Sequence, residues 1–129
     1  MVSVNDKPIV IAVLDDEVKM CTAVGRLLRG HGYEVALFGS GEVFLAAERP
    51  FDCVLLDLNM PGISGFDVMK ALVRNETHPP VIVITGRDEP GNKEHLLGLG
   101  ASAYLTKPVD ETSLLEAIEL SLPGMPKRH

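Results

Sequence analysis

The chain has few of the residues from which disulfide frameworks and metal cages are built. Its 129 residues include two cysteines, Cys21 and Cys53, each set in an apolar run, and no CxxC pair. That usage excludes a disulfide scaffold and a zinc ribbon, and predicts two buried free thiols. The four histidines, at positions 31, 78, 95 and 129, never fall three or four apart. A histidine-held metal therefore has no support, and all four are expected at surface or loop positions. Long hydrophobic runs are missing too: the longest is Ile9 to Leu14, against the roughly 20 residues of a membrane span. No basic flank and cleavage site mark a leader, so no membrane is expected and a cytoplasmic location follows. Positive charge is scarce, with 12 Lys and Arg against 18 Asp and Glu and a net charge of -6. A nucleic-acid backbone is gripped by clustered cations, so no nucleic acid should be bound by this domain.

What is present suits one soluble globular domain. Hydrophobic residues make up 46% and charged residues 23%, too apolar a balance for a disordered chain. The reading is a single domain over 1–129, with its core over about 8–122 and a frayed tail at 123–129. Sequence leaves open whether it stands alone or belongs to a longer protein with an output domain.

Short β-rich runs alternate with segments of helical spacing, the pattern of βα units and a parallel sheet. The five runs are Pro8 to Leu14, Glu34 to Phe38, Cys53 to Leu56, Val81 to Thr85 and Ala103 to Leu105. The first, third and fourth are nearly continuous in apolar residues, which predicts central strands buried on both faces. Cys21, Val24, Leu27 and Leu28 give a first helix an apolar stripe that Gly30 or Gly32 can end. Ser40 and Ser64 are the expected N-caps of the second and third helices, with Asp67 near the positive end of the third. Pro90 and Gly91 open a fourth helix of weak propensity, with Gly98 inside and Gly100 at its C-cap. A fifth runs from near Asp110 to about Leu122, its core face made by Leu114, Leu115, Ile118 and Leu122, and Pro123 and Gly124 stop it.

In an open parallel sheet, ligands gather beyond the carboxyl ends of the strands, where the strand order reverses. The first strand ends in Asp15 and Asp16, the third in Asp57, the fourth in Thr85, and the fifth in Lys107 followed by Pro108. Carboxylates forced together repel and raise their own pKa values unless a cation compensates. Mg2+ suits the set, since it takes one or two carboxylates, waters and a phosphate oxygen without a full protein cage. Lys107 adds a point charge and Thr85 a hydroxyl, both fitted to an incoming phosphoryl group. Asp57 can then act as a nucleophile that forms an aspartyl phosphate, with Asp16 and Asp57 on the metal and Asp15 helping through water.

The residues Asp15-Asp16, Asp57 with Asn59-Met60-Pro61-Gly62 and Ser64-Gly65, Thr85-Gly86, Gly100-Ala101, Tyr104 and Lys107-Pro108 resemble the receiver domain of two-component response regulators. The likeness covers essentially the whole chain. It implies an α/β, flavodoxin-like fold: a doubly wound (βα)5 unit with a five-stranded parallel sheet of order 2-1-3-4-5. It also implies a signalling switch rather than a metabolic enzyme. A sensor histidine kinase or histidine phosphotransfer protein would donate the phosphoryl group to Asp57, and the main-chain carbonyl of Asn59 would complete the Mg2+ ligands. Thr85 and Tyr104 would form the switch pair that reshapes helix four, strand five and helix five. The Lys107–Pro108 peptide would be cis. The side chains of Asn59 and Arg87 stand where the family tunes dephosphorylation. The chain would act as a monomer or a phosphorylation-dependent dimer.

Taken singly, these residues have plainer explanations. An Asp pair after a strand is more often a cap or turn, a Lys before Pro a solvated charge, and Tyr104 simple packing. Their joint placement at four strand ends reverses that weighting. An aspartate-nucleophile phosphatase would want an acid two residues after Asp57, where Asn59 stands. A flavin or dinucleotide module would want a GxGxxG or GxxxxGK[ST] loop after the first strand, where the acidic pair stands. A pure interaction domain would have no use for the site, and a phosphorylation assay separates it.

Overall fold

A computed structural model describes residues 8–47 and 49–122. Five parallel strands, β1 (Val10–Leu14), β2 (Glu34–Phe38), β3 (Cys53–Asp57), β4 (Val81–Thr85) and β5 (Ala103–Thr106), alternate with five helices. The strand order is β2-β1-β3-β4-β5, the order that the resemblance implies.

The continuous apolar runs explain why β1, β3 and β4 lie inside. Every residue of β3 and β4 is buried, and so is β1 after Val10, whereas β2 and β5 are half-exposed edges. Side chains alternate across the sheet, so each central strand feeds two cores. Ala12, Leu14, Val54, Leu56, Val81 and Val83 face one layer, and Ile11, Val13, Leu55, Ile82 and Ile84 face the other. Each fully buried Leu or Ile is worth roughly 1.5–3 kcal/mol relative to leaving it in water.

The helices divide between those layers. Helices α1 (Val18–Gly30) and α5 (Glu111–Ser121) bury Cys21, Val24, Leu28, Leu114 and Ile118 on one face. Helices α2 (Gly41–Ala46), α3 (Gly65–Val73) and α4 (Asn92–Leu99) contribute Phe44, Val68, Met69 and Leu96 to the other. The predicted caps form, with Ser40 and Ser64 accepting from the N–H groups of Val43 and Asp67, and Asp110 caps α5 in the same way by accepting from the Ser113 N–H. Gly100 takes the left-handed conformation at φ 119° and closes α4. Both cysteines are buried and unpaired.

Several boundaries and exposures differ from the sequence reading. Strand β1 starts at Val10 rather than Pro8, where the Val10 N–H is bound by the Asp52 carboxylate at 2.8 Å. Strands β3 and β5 each run one residue further, to Asp57 and Thr106. Helix α4 begins at Asn92, because Gly91 adopts φ 86° as its N-cap. Leu27 and Leu115, read as core, are only half-buried, whereas His95 in α4 is exposed, in keeping with the surface position expected of it. The stop at Pro123 and Gly124 and the tail, with Lys127, Arg128 and His129, lie outside the described residues.

Short helix α2 is held by aromatics that no periodicity reveals. Phe38 on β2, Phe44 on α2 and Phe51 before β3 stand 5.4–5.6 Å apart between ring centroids, two pairs edge-to-face and one stacked.

Candidate functional site

Among the described residues, the buried polar or charged side chains are Asp15, Asp57 and Thr85. All three stand at the carboxyl edge of the sheet. The sequence explains the convergence, since each follows an apolar run that forms a central strand, and β1 and β3 are hydrogen-bonded neighbours where the winding reverses. Exposed Asp16 joins them: one carboxylate oxygen from each of Asp15, Asp16 and Asp57 lies within 4.8 Å of the others.

Lys107, just past β5, supplies the countercharge. Its Nζ is 2.9 Å from Asp15 Oδ2, 3.6 Å from Glu17 Oε1 and 3.7 Å from Asp57 Oδ2. Its N–H donates to the Thr85 carbonyl at 2.8 Å, which ties its backbone to β4, and the Lys107–Pro108 peptide is cis. Burial alone would lower the Lys107 pKa, but the Asp15 hydrogen bond and the charges of Asp57, Asp15 and Glu17 outweigh it and hold the ammonium above its usual range.

Asp57 is the perturbed carboxyl. Burial first, and then the charge of Asp15, push its pKa up to about 6, against the opposing Asn59 N–H and Lys107. A single ammonium therefore does not balance three carboxylates. The donors are all oxygens and in excess of the positive charge, a set that fits a hard divalent cation.

The loop after β3 is fixed from two sides. The Asn59 N–H donates to Asp57 Oδ1 at 3.2 Å, and the Gly65 N–H donates to the Leu58 carbonyl at 3.2 Å. A Cβ on Gly65 would lie 2.7 Å from Leu58 Cα and 2.9 Å from the Asp57 carbonyl oxygen, so only glycine lets α3 start this close to the site. Glu42 of α2 accepts from the Ile63 N–H at 3.3 Å.

Thr85 and Tyr104 hydrogen-bond to different partners. Thr85 Oγ1 is bonded to Asn59 and to the Arg87 backbone. The Tyr104 hydroxyl points elsewhere, donating to Asp88 Oδ1 at 2.8 Å. Burial first, then the Asp88 hydrogen bond and charge, raise the Tyr104 pKa. Sequence reasoning missed Glu17, Asp88 and the side-chain contact of Asn59. Glu17 carried a signal, being acidic and two residues beyond Asp15; Asp88 carried none, because its contact depends on how the loop after β4 turns.

Comparison with known proteins converges on one family. A family model described as the response regulator receiver domain matches residues 11–119. The chain is 38% identical over 118 residues to Protein PilH of Pseudomonas aeruginosa, covering 88% of this chain and 98% of that one. It is 34% identical over 114 residues to the transcriptional regulatory protein FixJ of Azorhizobium caulinodans, covering 87% of this chain and 54% of FixJ. The chain spans about half the length of several curated relatives it matches, FixJ among them. A CheY-like receiver domain structure from Methanospirillum hungatei superposes with a TM-score of 0.83 at 27% identity, over 88% of this chain and 93% of the other.

Proposed function

The chain belongs to the response-regulator receiver family, and on that premise we propose that Asp57 takes a phosphoryl group from the phosphohistidine of a sensor histidine kinase or histidine phosphotransfer protein. The observation that carries this is the burial pattern: among the described residues, the polar side chains taken out of water are Asp15, Asp57 and Thr85, and they sit with Lys107 at one edge. Burying two carboxylates is costly unless the arrangement serves a charged ligand.

The step is a displacement at phosphorus. A carboxylate oxygen of Asp57 forms a P–O bond as the P–N bond to the donor imidazole breaks, and the imidazole leaves with the electron pair. Asp57 must be ionised to attack, and Lys107, 3.7 Å from its carboxylate, favours that form. Lys107 and the Thr85 hydroxyl then neutralise and orient the phosphoryl oxygens. Asp16, Asp57 and the main-chain carbonyl of Asn59 would hold Mg2+ directly, with Asp15 acting through water. Bound Mg2+ supplies neutralisation of the crowded carboxylates and of the incoming phosphoryl group.

The response runs through the Thr85 and Tyr104 pair to the face made by α4, β5 and α5. Thr85 turns toward the phosphoryl group and the Tyr104 ring moves inward. Half-buried Tyr104 on β5, with exposed Leu97 on α4 and Leu120 on α5, gives that face apolar contact residues. The domain works in the cytoplasm as a signalling switch, as a monomer or a phosphorylation-dependent dimer, and an output domain follows in any full-length protein built like the longer relatives. No helix among the described residues is long and apolar enough to cross a membrane.

Incubation with acetyl phosphate and Mg2+, followed by intact mass measurement, tests the reading. A phosphoryl adduct on the wild type that disappears in Asp57→Asn supports it. No adduct, or an adduct that survives Asp57→Asn, overturns it.

A further inference from the structure

The hydroxyl of Thr85 has no bonding capacity to spare. Its residue is fully buried, and a hydroxyl offers one proton and two lone pairs. The proton goes to the Arg87 carbonyl oxygen at 3.1 Å. The lone pairs accept from the Arg87 N–H at 3.0 Å and from Asn59 Nδ2 at 2.9 Å. The two Arg87 bonds are local to the turn after β4. The Asn59 bond is the shortest of the three and comes from the loop after β3, across the crevice floor. Asn59 is itself anchored, because its N–H donates to Asp57 Oδ1 at 3.2 Å. One residue thus grips both the carboxylate that receives the phosphoryl group and the hydroxyl that answers it.

We infer that the Asn59 side chain is a latch, a positioning residue that holds Thr85 Oγ1 in its resting place and sets how readily the switch is thrown. The inference rests on the proposed roles of Asp57 and Thr85. A Thr85 hydroxyl that turns to a phosphoryl oxygen must release the Asn59 amide. Whatever that bond contributes to the resting state is therefore subtracted from the affinity for the phosphoryl group. One net hydrogen bond corresponds to roughly a 2- to 10-fold change in such an equilibrium. Asn59 is exposed, so replacing its side chain leaves both cores untouched and keeps the main-chain carbonyl.

The test uses the full chain as wild type, Asn59→Ala, Thr85→Ala and the double variant. Urea unfolding without metal measures the contact: the cycle should show a coupling of about 2- to 10-fold in the unfolding constant, and additive effects would overturn the latch. Beryllofluoride titration at saturating Mg2+, followed by NMR, measures the switch. Asn59→Ala should tighten beryllofluoride binding by about 2- to 10-fold, and should change nothing in the Thr85→Ala background. Unchanged or weaker binding in Asn59→Ala, or equal tightening with and without the Thr85 hydroxyl, would overturn the latch while leaving the phosphoacceptor reading in place. A wild type that takes up no beryllofluoride would overturn that reading, and the latch with it.

Discussion

The Lys107 ammonium makes its closest ion pair with Asp15, 2.9 Å away, and stands at 3.7 Å from Asp57. The ammonium is thus held by the carboxylate that is not the proposed acceptor, within reach of the one that is. Both carboxylates are buried and Lys107 is one-fifth exposed, so the pairing is only partly screened by solvent.

Removing that cation should be felt before any phosphate arrives. Lys107→Met keeps the apolar stem and leaves Asp15 and Asp57 facing each other uncompensated. In metal-free buffer at pH 8, urea unfolding should show a loss of about 1–3 kcal/mol. An unchanged midpoint would mean that the ion pair has no structural weight.

Asp57→Asn should act in the opposite direction. Burial and the Asp15 charge disfavour the ionised carboxylate more than Lys107 and the Asn59 N–H favour it. Replacing it with a neutral isostere should raise metal-free stability at pH 8 by about 1–3 kcal/mol. Mg2+ should stabilise the wild type more than the variant. Destabilisation by Asp57→Asn in the absence of metal would contradict the electrostatic account of the site.

The pH dependence follows with an unusual sign. An ordinary paired carboxylate has a depressed pKa and loses its contribution as pH falls. Asp57 has a folded-state pKa of about 6, above the ordinary aspartate value of 3.8. The folded state therefore holds the proton more tightly, and stability falls as pH rises between about 4 and 6. The stability gap between Asp57→Asn and wild type, measured with chelator present, should be small at pH 4, widen through pH 6 and stay flat above it. A gap independent of pH would refute the shift.

Two glycine-to-alanine changes should differ in sign. A Cβ on Gly65 would lie 2.7 Å from Leu58 Cα and 3.1 Å from the Leu58 carbonyl oxygen, both backbone atoms with little room to move. Gly65→Ala should cost about 2 kcal/mol or more in thermal or urea unfolding and slow acetyl phosphate labelling of Asp57. At Gly98 in α4 an added methyl would meet nothing within 4 Å beyond its chain neighbours and the backbone of its own helix, and the backbone has no positive φ. Gly98→Ala should stabilise by about 0.5–1 kcal/mol through helix propensity. Equal responses at the two positions would contradict the tight approach at Gly65.

The parts of the molecule most legible in the sequence are those fixed by one-dimensional pattern. The runs Pro8 to Leu14, Cys53 to Leu56 and Val81 to Thr85 announce central strands, because a strand buried on both faces is apolar at nearly every position. Once those strands are parallel, their polar terminal residues share an edge, which is why the sequence alone associates Asp15, Asp16, Asp57, Thr85 and Lys107. What stayed hidden depends on loop and rotamer geometry. The preference of Lys107 for Asp15 over Asp57, the Asn59 amide on Thr85 and the Tyr104 bond to Asp88 each join residues from separate segments. The Phe38, Phe44 and Phe51 cluster is similar, since its three rings come from three elements and obey no single period.

The two cysteines give the fold a built-in clock. Cys53 is fully buried, and burial pushes its thiol up to about 12; burial also raises Cys21, which is 7% exposed. Alkylating reagents attack the thiolate, so neither sulfur should react while the α1 and α5 layer stays closed over the sheet. Maleimide incorporation then counts excursions in which that layer lifts, and comparing its rate before and after phosphorylation would report whether the switch loosens the face opposite α4.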